Sequence, residues 1–136
     1  MNAEKNELLF QDLFVEKEFR PLIFPVDDGF VQKFLETVQD KNPLYSQKNI
    51  APQSIAGIYS RLSYLQDHRM PFGGILLAQD YEFYRFIRVG DTLISRARVT
   101  RRYQEDSRNF VTIEVNTHNQ RGEKISLVRL FIRWPK

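Results

Sequence analysis

Hydrophobic residues follow two different periods along this chain. In the first half, Phe30, Phe34 and Val38 recur every four positions, which predicts an amphipathic helix. Asp27 or Asp28 lies at its start and is expected to cap the first backbone N–H groups. The Asn-Pro pair at residues 42–43 is expected to end the helix, because proline disfavours a helical conformation in the residue before it.

A second helix is predicted from Pro52 to about Asp67, since proline suits the first helical position. Gly57 lies within it and permits close approach of another backbone. This helix is the more hydrophobic of the two, so we expect it to pack against a sheet. Its predicted apolar stripe consists of Ile55, Ile58, Leu62 and Leu65.

The second half of the chain shows the alternation that is typical of strands. Between residues 92 and 103, Leu93, Ser95, Ala97 and Val99 alternate with a more polar set. The predicted strands are Glu18–Phe24, Gln79–Ile87, Thr92–Tyr103, Asn109–His118 and Lys124–Trp134, and residues 119–123 form a hairpin loop between the last two. A strand, two helices and then a run of long strands predict an α+β fold, with the helices on one face of a curved antiparallel sheet.

Length and composition agree with a single folded unit. The 136 residues, 42% of them hydrophobic, predict one domain spanning 1–136, within which the amphipathic segment 1–14 packs on the body or on a partner. The absence of cysteine excludes a disulfide scaffold and a cysteine nucleophile. No apolar run approaches the roughly 18 residues of a membrane span, and the N-terminus lacks a signal-peptide pattern, so we expect a cytoplasmic protein without a membrane partner.

Charge is distributed unevenly. The net charge of +3 combines an acidic first part, residues 1–50, with a basic second part, residues 51–136. A basic region either binds a phosphate-bearing ligand or nucleic acid, or is simply a solvated surface. No nucleic-acid recognition motif is present and the first part is acidic, so nucleic acid is not expected as a partner.

Few residues carry obvious chemistry. The two histidines, His68 and His118, are fifty positions apart and no cysteine accompanies them, so no metal site is predicted. Asp40 follows the first helix and precedes the Asn-Pro turn, so Asp40 and Tyr45 can face each other across the bend. A carboxylate in this position either positions a water molecule or simply ends the helix.

Three motifs in order resemble the MaoC-like hydratases and dehydratases. Residues 40–45, D-K-N-P-L-Y, are similar to the family motif D-x-N-P-x-H, and residues 50–54, I-A-P-Q-S, are similar to I-A-P-P-T. Residues 79–93 resemble the strand and turn Q-x-F-x-Y-x-R-P-x-x-x-G-D-x-L of the N-terminal MaoC dehydratase type. The resemblance runs from about residue 19 to 133 and implies a hot-dog fold, in which a curved antiparallel sheet wraps around a central helix.

The resemblance also implies a reaction. In the family, an Asp and a His activate water for addition to a trans-2-enoyl thioester, or run the reverse elimination from an (R)-3-hydroxyacyl thioester. The matching catalytic positions are Asp40 and Tyr45. A backbone N–H near Gln53 or Ser54 is expected to polarise the thioester carbonyl. The substrate-binding positions are Asn42, Pro52, Gln53, Ser54 and Tyr59, coenzyme A or acyl carrier protein enters as part of the substrate, and no separate cofactor is expected.

The chain departs from the family pattern in ways that leave its activity open. Tyr45 occupies the histidine position, and a phenol with a pKa of about 10 is a poor general base. A second histidine often precedes the family's Gln, whereas Ala78 does so here. The chain is therefore expected to be either a hydratase or dehydratase, or a non-catalytic acyl-binding subunit of a heterodimer whose partner supplies the His/Asp pair. Under either hypothesis we expect a homodimer or heterodimer of hot-dog domains.

One strand carries a stripe of arginines, formed by Arg96, Arg98 and Arg102 with Arg101 beside it. Coenzyme A phosphates or the acidic surface of an acyl carrier protein would suit it. A solvated sheet face is the favoured interpretation.

Overall fold

The computed structural model describes residues 5–136, and within these residues nine strands and three α-helices follow one another. The strands are β1 (Asn6–Glu7), β2 (Leu22–Pro25), β3 (Ile50–Ala51), β4 (His68–Arg69), β5 (Ile75–Phe83), β6 (Ile87–Arg88), β7 (Thr92–Glu105), β8 (Arg108–His118) and β9 (Lys124–Trp134). The helices are α1 (Asp28–Val38), α2 (Leu44–Lys48) and α3 (Ala56–Leu65), and short 3₁₀ turns occupy Phe10–Asp12 and Gln53–Ile55.

Five strands form one antiparallel sheet in the order β2-β7-β8-β9-β5. Along β7, Leu93, Ser95, Ala97 and Val99 are all buried, which confirms the predicted alternation. A register shift between Val99 and Arg101 interrupts the pairing of β7 with β8. Such an extra residue bends a strand and helps the sheet to curve.

The predicted strand bounds needed two corrections. The first strand is shorter than residues 18–24, because Glu18 makes only an isolated bridge to Arg98 and regular pairing begins at Leu22. The strand predicted over residues 79–87 begins at Ile75 and ends at Phe83. The α+β class is confirmed.

The central helix α3 packs against β2, β7 and β9, as expected for the more hydrophobic helix. The apolar stripe predicted for it is only partly correct: Ile55 and Leu65 are buried, but Leu62 is 41% exposed. The buried face of the helix also carries Tyr59, Ser60, Ser63 and Tyr64. Two of these hydroxyls are paired, since Tyr59 Oη lies 2.6 Å from Ser126 Oγ and Ser63 Oγ donates to the Ser60 carbonyl oxygen. Within residues 5–136 the buried Ser60 hydroxyl has no hydrogen-bond partner.

Helix α1 begins as predicted. The Asp27 carboxylate accepts the backbone N–H of Phe30 at 2.7 Å and caps the N-terminus. The helix ends earlier than expected, at Val38, because Gln39 adopts a left-handed conformation (φ 58°, ψ 37°). The residues after Pro43 form the unpredicted short helix α2.

The N-terminal segment packs on the body of the same chain. Leu8 and Leu13 are fully buried, and the Trp134 indole Nε1–H donates to the Leu8 carbonyl oxygen at 2.8 Å. Strand β1 adds a short parallel pairing with β4. Residues 1–4 of the predicted segment lie outside the described residues.

None of the helices in residues 5–136 is both long enough and apolar enough to cross a bilayer.

Candidate active site

The bend after α1 fixes the first candidate residue, Asp40. The Asp40 backbone N–H donates to the Leu35 carbonyl oxygen at 3.0 Å, and its carboxylate accepts the backbone N–H of Asn42 at 3.1 Å. The Asn42 side-chain oxygen in turn accepts the N–H of Leu44 at 3.1 Å. Short polar side chains therefore build the turn that leads into α2.

Tyr45 lies on α2, half-buried and facing Asp40. Burial raises the pKa of the Tyr45 phenol above its ordinary value, and the hydrogen bond and the negative charge of Asp40 raise it further. The structure thus brings Asp40 and Tyr45 together across the bend, as the sequence predicted. At neutral pH the phenol keeps its proton and acts as a hydrogen-bond donor.

The two residues share an open cleft of about 380 Å³. Its lining residues are Gln32, Leu35, Glu36, Gln39, Asp40, Lys41, Asn42, Pro43, Tyr45 and Ser46. The predicted substrate-binding residue Asn42 therefore lies beside both candidate catalytic residues. Neither histidine lines this cleft: His68 lies on β4, and His118 ends β8.

Three further predicted positions lie at the entrance to the central helix rather than in this cleft. Pro52 is buried and precedes the 3₁₀ turn, where Gln53 is half-buried and Ser54 is exposed. The first N–H groups of a helical segment have no intrahelical acceptor, so they are available to a ligand carbonyl. A polarising role for these amides stays a prediction.

The structure places Tyr59 away from the cleft, in the core of the chain. Its side chain is fully buried against Phe24, and its hydroxyl is hydrogen-bonded to Ser126. Burial raises the pKa of Tyr59 to about 12, even though the bond to Ser126 acts in the opposite direction. A substrate contact for Tyr59 stays a prediction.

Two arginines of the stripe on β7 have partners within the chain. Arg98 forms ion pairs with Glu16 at 2.8 Å and with Glu114 at 3.4 Å. The Arg102 guanidinium lies over the Phe10 ring, 3.9 Å from its centroid. These contacts support the interpretation of this stripe as an ordinary solvated sheet face.

Sequence reasoning missed a second group of arginines. Arg85, Arg88 and Arg121 line one cleft of about 500 Å³ beside the hairpin loop that connects β8 and β9. The spacing of Arg85 and Arg88 was visible in the sequence, but Arg121 is far along the chain. Only the pairing of the strands brings it next to them.

A curved antiparallel sheet around one central helix, with the Asp40–Tyr45 pair at the bend before that helix, defines a hot-dog protein of the α+β class. Residues 14–128 match the family described as FAS1-like, dehydratase domain region, so the chain belongs to the MaoC-like family of hydratases and dehydratases. No sequence among the curated proteins is significantly similar to this chain.

Solved structures share the fold at low sequence identity. The unliganded R-hydratase PhaJ1 from Pseudomonas aeruginosa is 19% identical with a TM-score of 0.79, covering 97% of this chain and 88% of that chain. The (R)-hydratase of A. caviae involved in PHA biosynthesis is 20% identical with a TM-score of 0.73, and the match covers 92% of this chain and 99% of that chain. The C-terminally truncated HadBC (3R-hydroxyacyl-ACP dehydratase) complex of Mycobacterium tuberculosis is 17% identical with a TM-score of 0.75, and the match covers 88% of this chain and 96% of that chain.

Proposed function

We propose that this chain is the acyl-binding subunit of a MaoC-like hydratase or dehydratase, and that a partner hot-dog chain supplies the catalytic histidine. The observation that carries the proposal is the Tyr45 phenol, which faces Asp40 where the family motif has histidine and whose pKa is raised. A phenol that keeps its proton cannot take a proton from an attacking water molecule.

The contacts of Asp40 support the same proposal. One carboxylate oxygen accepts the N–H of Asn42, and the Tyr45 phenol lies beside the same carboxylate. The bond to Asn42 occupies an acceptor site that would otherwise orient a water molecule. Asp40 therefore acts mainly as the residue that shapes the turn, and Tyr45 as a donor toward the cleft.

The acyl chain of the substrate has a suitable groove beside α3. A cavity of about 250 Å³ lies between α3 and β5, lined by Gly57, Arg61, Tyr64, Met70, Pro71, Gly73, Gly74, Leu76, Gln79, Leu130 and Ile132. Its aliphatic side chains suit a hydrocarbon chain, while the amides of Gln53 and Ser54 at the start of the helical segment suit the thioester carbonyl. We propose trans-2-enoyl or (R)-3-hydroxyacyl thioesters of coenzyme A or acyl carrier protein as the substrates.

The proposed partner chain has an available place to dock. The outer edge of β5 pairs with no other strand in residues 5–136, and Ile75, Leu76 and Leu77 along it are each about half exposed. Unpaired strand edges readily add another strand. The M. tuberculosis dehydratase that shares the fold is itself a complex.

A second candidate function is that of a stand-alone hydratase with Asp40 as its base. The observation that favours it is the open cleft, which gives water access to an Asp40 carboxylate with a hydrogen-bond donor beside it. The two functions differ in one measurable property, which is turnover by the chain alone.

The test is a hydration assay on the purified chain with trans-2-enoyl-coenzyme A substrates, following the loss of the enoyl absorbance. We expect the unmodified chain to show no hydration above the uncatalysed background. Tyr45→His should raise hydration to about 10²-fold or more above that background, because a positioned general base typically contributes that much.

Tyr45→Phe is the matched control, because it removes the phenol without adding a base, and it should stay inactive. Hydration by the unmodified chain that disappears in Asp40→Asn would instead establish the stand-alone enzyme. A folded Tyr45→His variant without activity would contradict the idea that the missing histidine alone makes this chain inactive.

A further inference from the structure

The groove between α3 and β5, which we call the acyl groove, has one charged side chain in an otherwise neutral lining. Its aliphatic part includes Leu130 and Ile132, which are 4% and 3% exposed. Among the described residues 5–136, the lining contains no Asp, Glu, Lys or His, and Arg61 is its one cation. A ligand that is hydrocarbon throughout leaves this cation without a partner.

Helix geometry places Arg61 on the side of α3 that faces the groove. Gly57, Arg61 and Tyr64 are four and three positions apart, so they share one face of the helix. Gly57 has no side chain, and a Cβ added there would lie 3.6 Å from the Tyr81 hydroxyl of β5. The helix and the strand therefore approach each other closely at Gly57, one turn before Arg61.

The fold provides no acidic partner for this guanidinium. Within residues 5–136, no carboxylate lies within ion-pair distance of Arg61. Asp80 and Glu82 alternate with Gln79 along β5 and so point to the other face of the strand, where Glu82 lies 3.8 Å from Arg129. The Arg61 side chain is exposed, so its five N–H donors are available to a ligand.

The Tyr64 phenol is a second polar group beside Arg61. Burial raises the pKa of Tyr64, and the neighbouring Arg61 charge acts in the opposite direction. The phenol keeps its proton at neutral pH and can donate a hydrogen bond. Guanidinium and phenol together therefore offer N–H and O–H donors to one anionic group in the groove.

We propose that the acyl groove binds an acyl chain that ends in a carboxylate, and that Arg61 binds this carboxylate. The substrates are then monothioesters of dicarboxylic acids. A planar guanidinium matches the two oxygens of a carboxylate in bidentate geometry, while the aliphatic lining covers the methylene groups between the two ends. This inference rests on the proposed function, because it needs the thioester carbonyl at the start of the helical segment.

The spacing of the two ends suits a chain of medium length. Ser54, near the expected carbonyl site, and Arg61 are seven positions apart. This separation corresponds to roughly 10 Å along a helix. Several methylene groups are needed to span it, so the probe has to be longer than a succinyl group.

Isothermal titration calorimetry with suberyl-coenzyme A and octanoyl-coenzyme A tests the proposal without any requirement for turnover. The two probes have the same carrier and the same number of acyl carbons, and they differ only in the terminal carboxylate. We expect the purified chain to bind suberyl-coenzyme A at least about tenfold more tightly, because a charge-assisted contact is gained.

Substitutions of Arg61 assign this preference to one side chain. Arg61→Gln should remove the preference and leave the affinity for octanoyl-coenzyme A unchanged, whereas Arg61→Lys should keep part of it, because the charge remains but the planar fork is lost. Arg108→Gln is the matched control and should keep the full preference, because Arg108 is exposed at the start of β8 and does not line the groove. The thermal unfolding of Arg61→Gln should match that of the unmodified chain, since the replaced side chain is exposed.

The outcomes separate this inference from the proposed function. Octanoyl-coenzyme A binding as tightly as suberyl-coenzyme A, or a preference that survives in Arg61→Gln, would overturn the inference and leave acyl binding intact. No binding of either thioester would contradict the proposed function and this inference with it. Free suberate should bind more weakly than its thioester, and equal affinity would overturn the assignment to a thioester.

Discussion

At the scale of single residues, two tyrosines show how burial and partners decide what a side chain does. Tyr59 is fully buried, contacts the Phe24 ring and pairs with Ser126 Oγ. Tyr45 lies in the open cleft with Asp40 as its neighbour. Identical side chains therefore serve the core in one place and the candidate site in another, according to their burial and partners.

Tyr59 makes the stability of the chain sensitive to alkaline pH. Its pKa is about 12 in the folded chain and about 10 when the chain is unfolded, so between these values the unfolded chain binds fewer protons. The contribution of this group to the free energy of unfolding should therefore be nearly constant well below pH 10 and should fall by about 2 kcal/mol as pH rises to 12.

Urea denaturation of the unmodified chain and Tyr59→Phe at pH 8 and pH 11.5 measures this contribution. At pH 8 the variant should be less stable by about 1–2 kcal/mol, because Ser126 Oγ loses its buried partner. At pH 11.5 the difference should shrink or reverse, because phenylalanine does not ionise. A difference that stays constant with pH would contradict the role of this phenol.

The bend itself shows what single residues in the sequence can predict. The order Asp40, Asn42, Pro43 and Tyr45 was sufficient to predict that the first and last face each other, because an Asn-Pro pair forces a local turn. The arginine cleft was not predictable in this way. It joins Arg85 to Arg121 through strand pairing, and register depends on which face of each strand is buried.

At the scale of elements, the predictions succeeded where one face was uniformly apolar. The alternating residues of β7 and the strand over residues 124–134 were predicted well for this reason. The buried face of helix α3 was predicted only in part, because hydrophobicity alone favours Leu62 over Ser60 and Ser63. Helix α2 has only five residues, which is too short for a periodic pattern.

The N-terminal segment is an element whose contribution to stability can be measured separately. Leu8 is fully buried and its carbonyl oxygen accepts the Trp134 indole N–H, whereas the adjacent Leu9 is 41% exposed. Leu8→Ala should lower the free energy of unfolding by about 2–4 kcal/mol, through lost burial and the cavity that remains.

Leu9→Ala is the natural control, because it removes the same atoms one position along the chain. It should change the free energy of unfolding by about 0.5 kcal/mol or less in urea denaturation. Equal effects of the two substitutions would show that the segment does not pack as a part of the core.

At the scale of the whole molecule, one group of exposed apolar residues lies at and just before β5. Phe72 is fully exposed, and Ile75, Leu76 and Leu77 follow it along β5 at the free edge of the sheet. Large exposed apolar patches mark interaction sites in monomeric chains. The proposed acyl groove lies next to this edge, since Leu76 lines it.

A second hot-dog chain, either identical or different, is therefore expected to cover the edge of β5. Leu77→Lys should shift the purified chain from dimer to monomer in sedimentation velocity at micromolar concentration, because the substitution places a charge in the buried centre of the interface. Val38→Lys is the control, because Val38 is similarly exposed, 53% against 54%, but ends α1. If the unmodified chain sediments as a monomer, self-association through β5 is contradicted, and a partner at this edge would have to be a different hot-dog chain. A dimer that survives Leu77→Lys would instead place the interface elsewhere on the molecule.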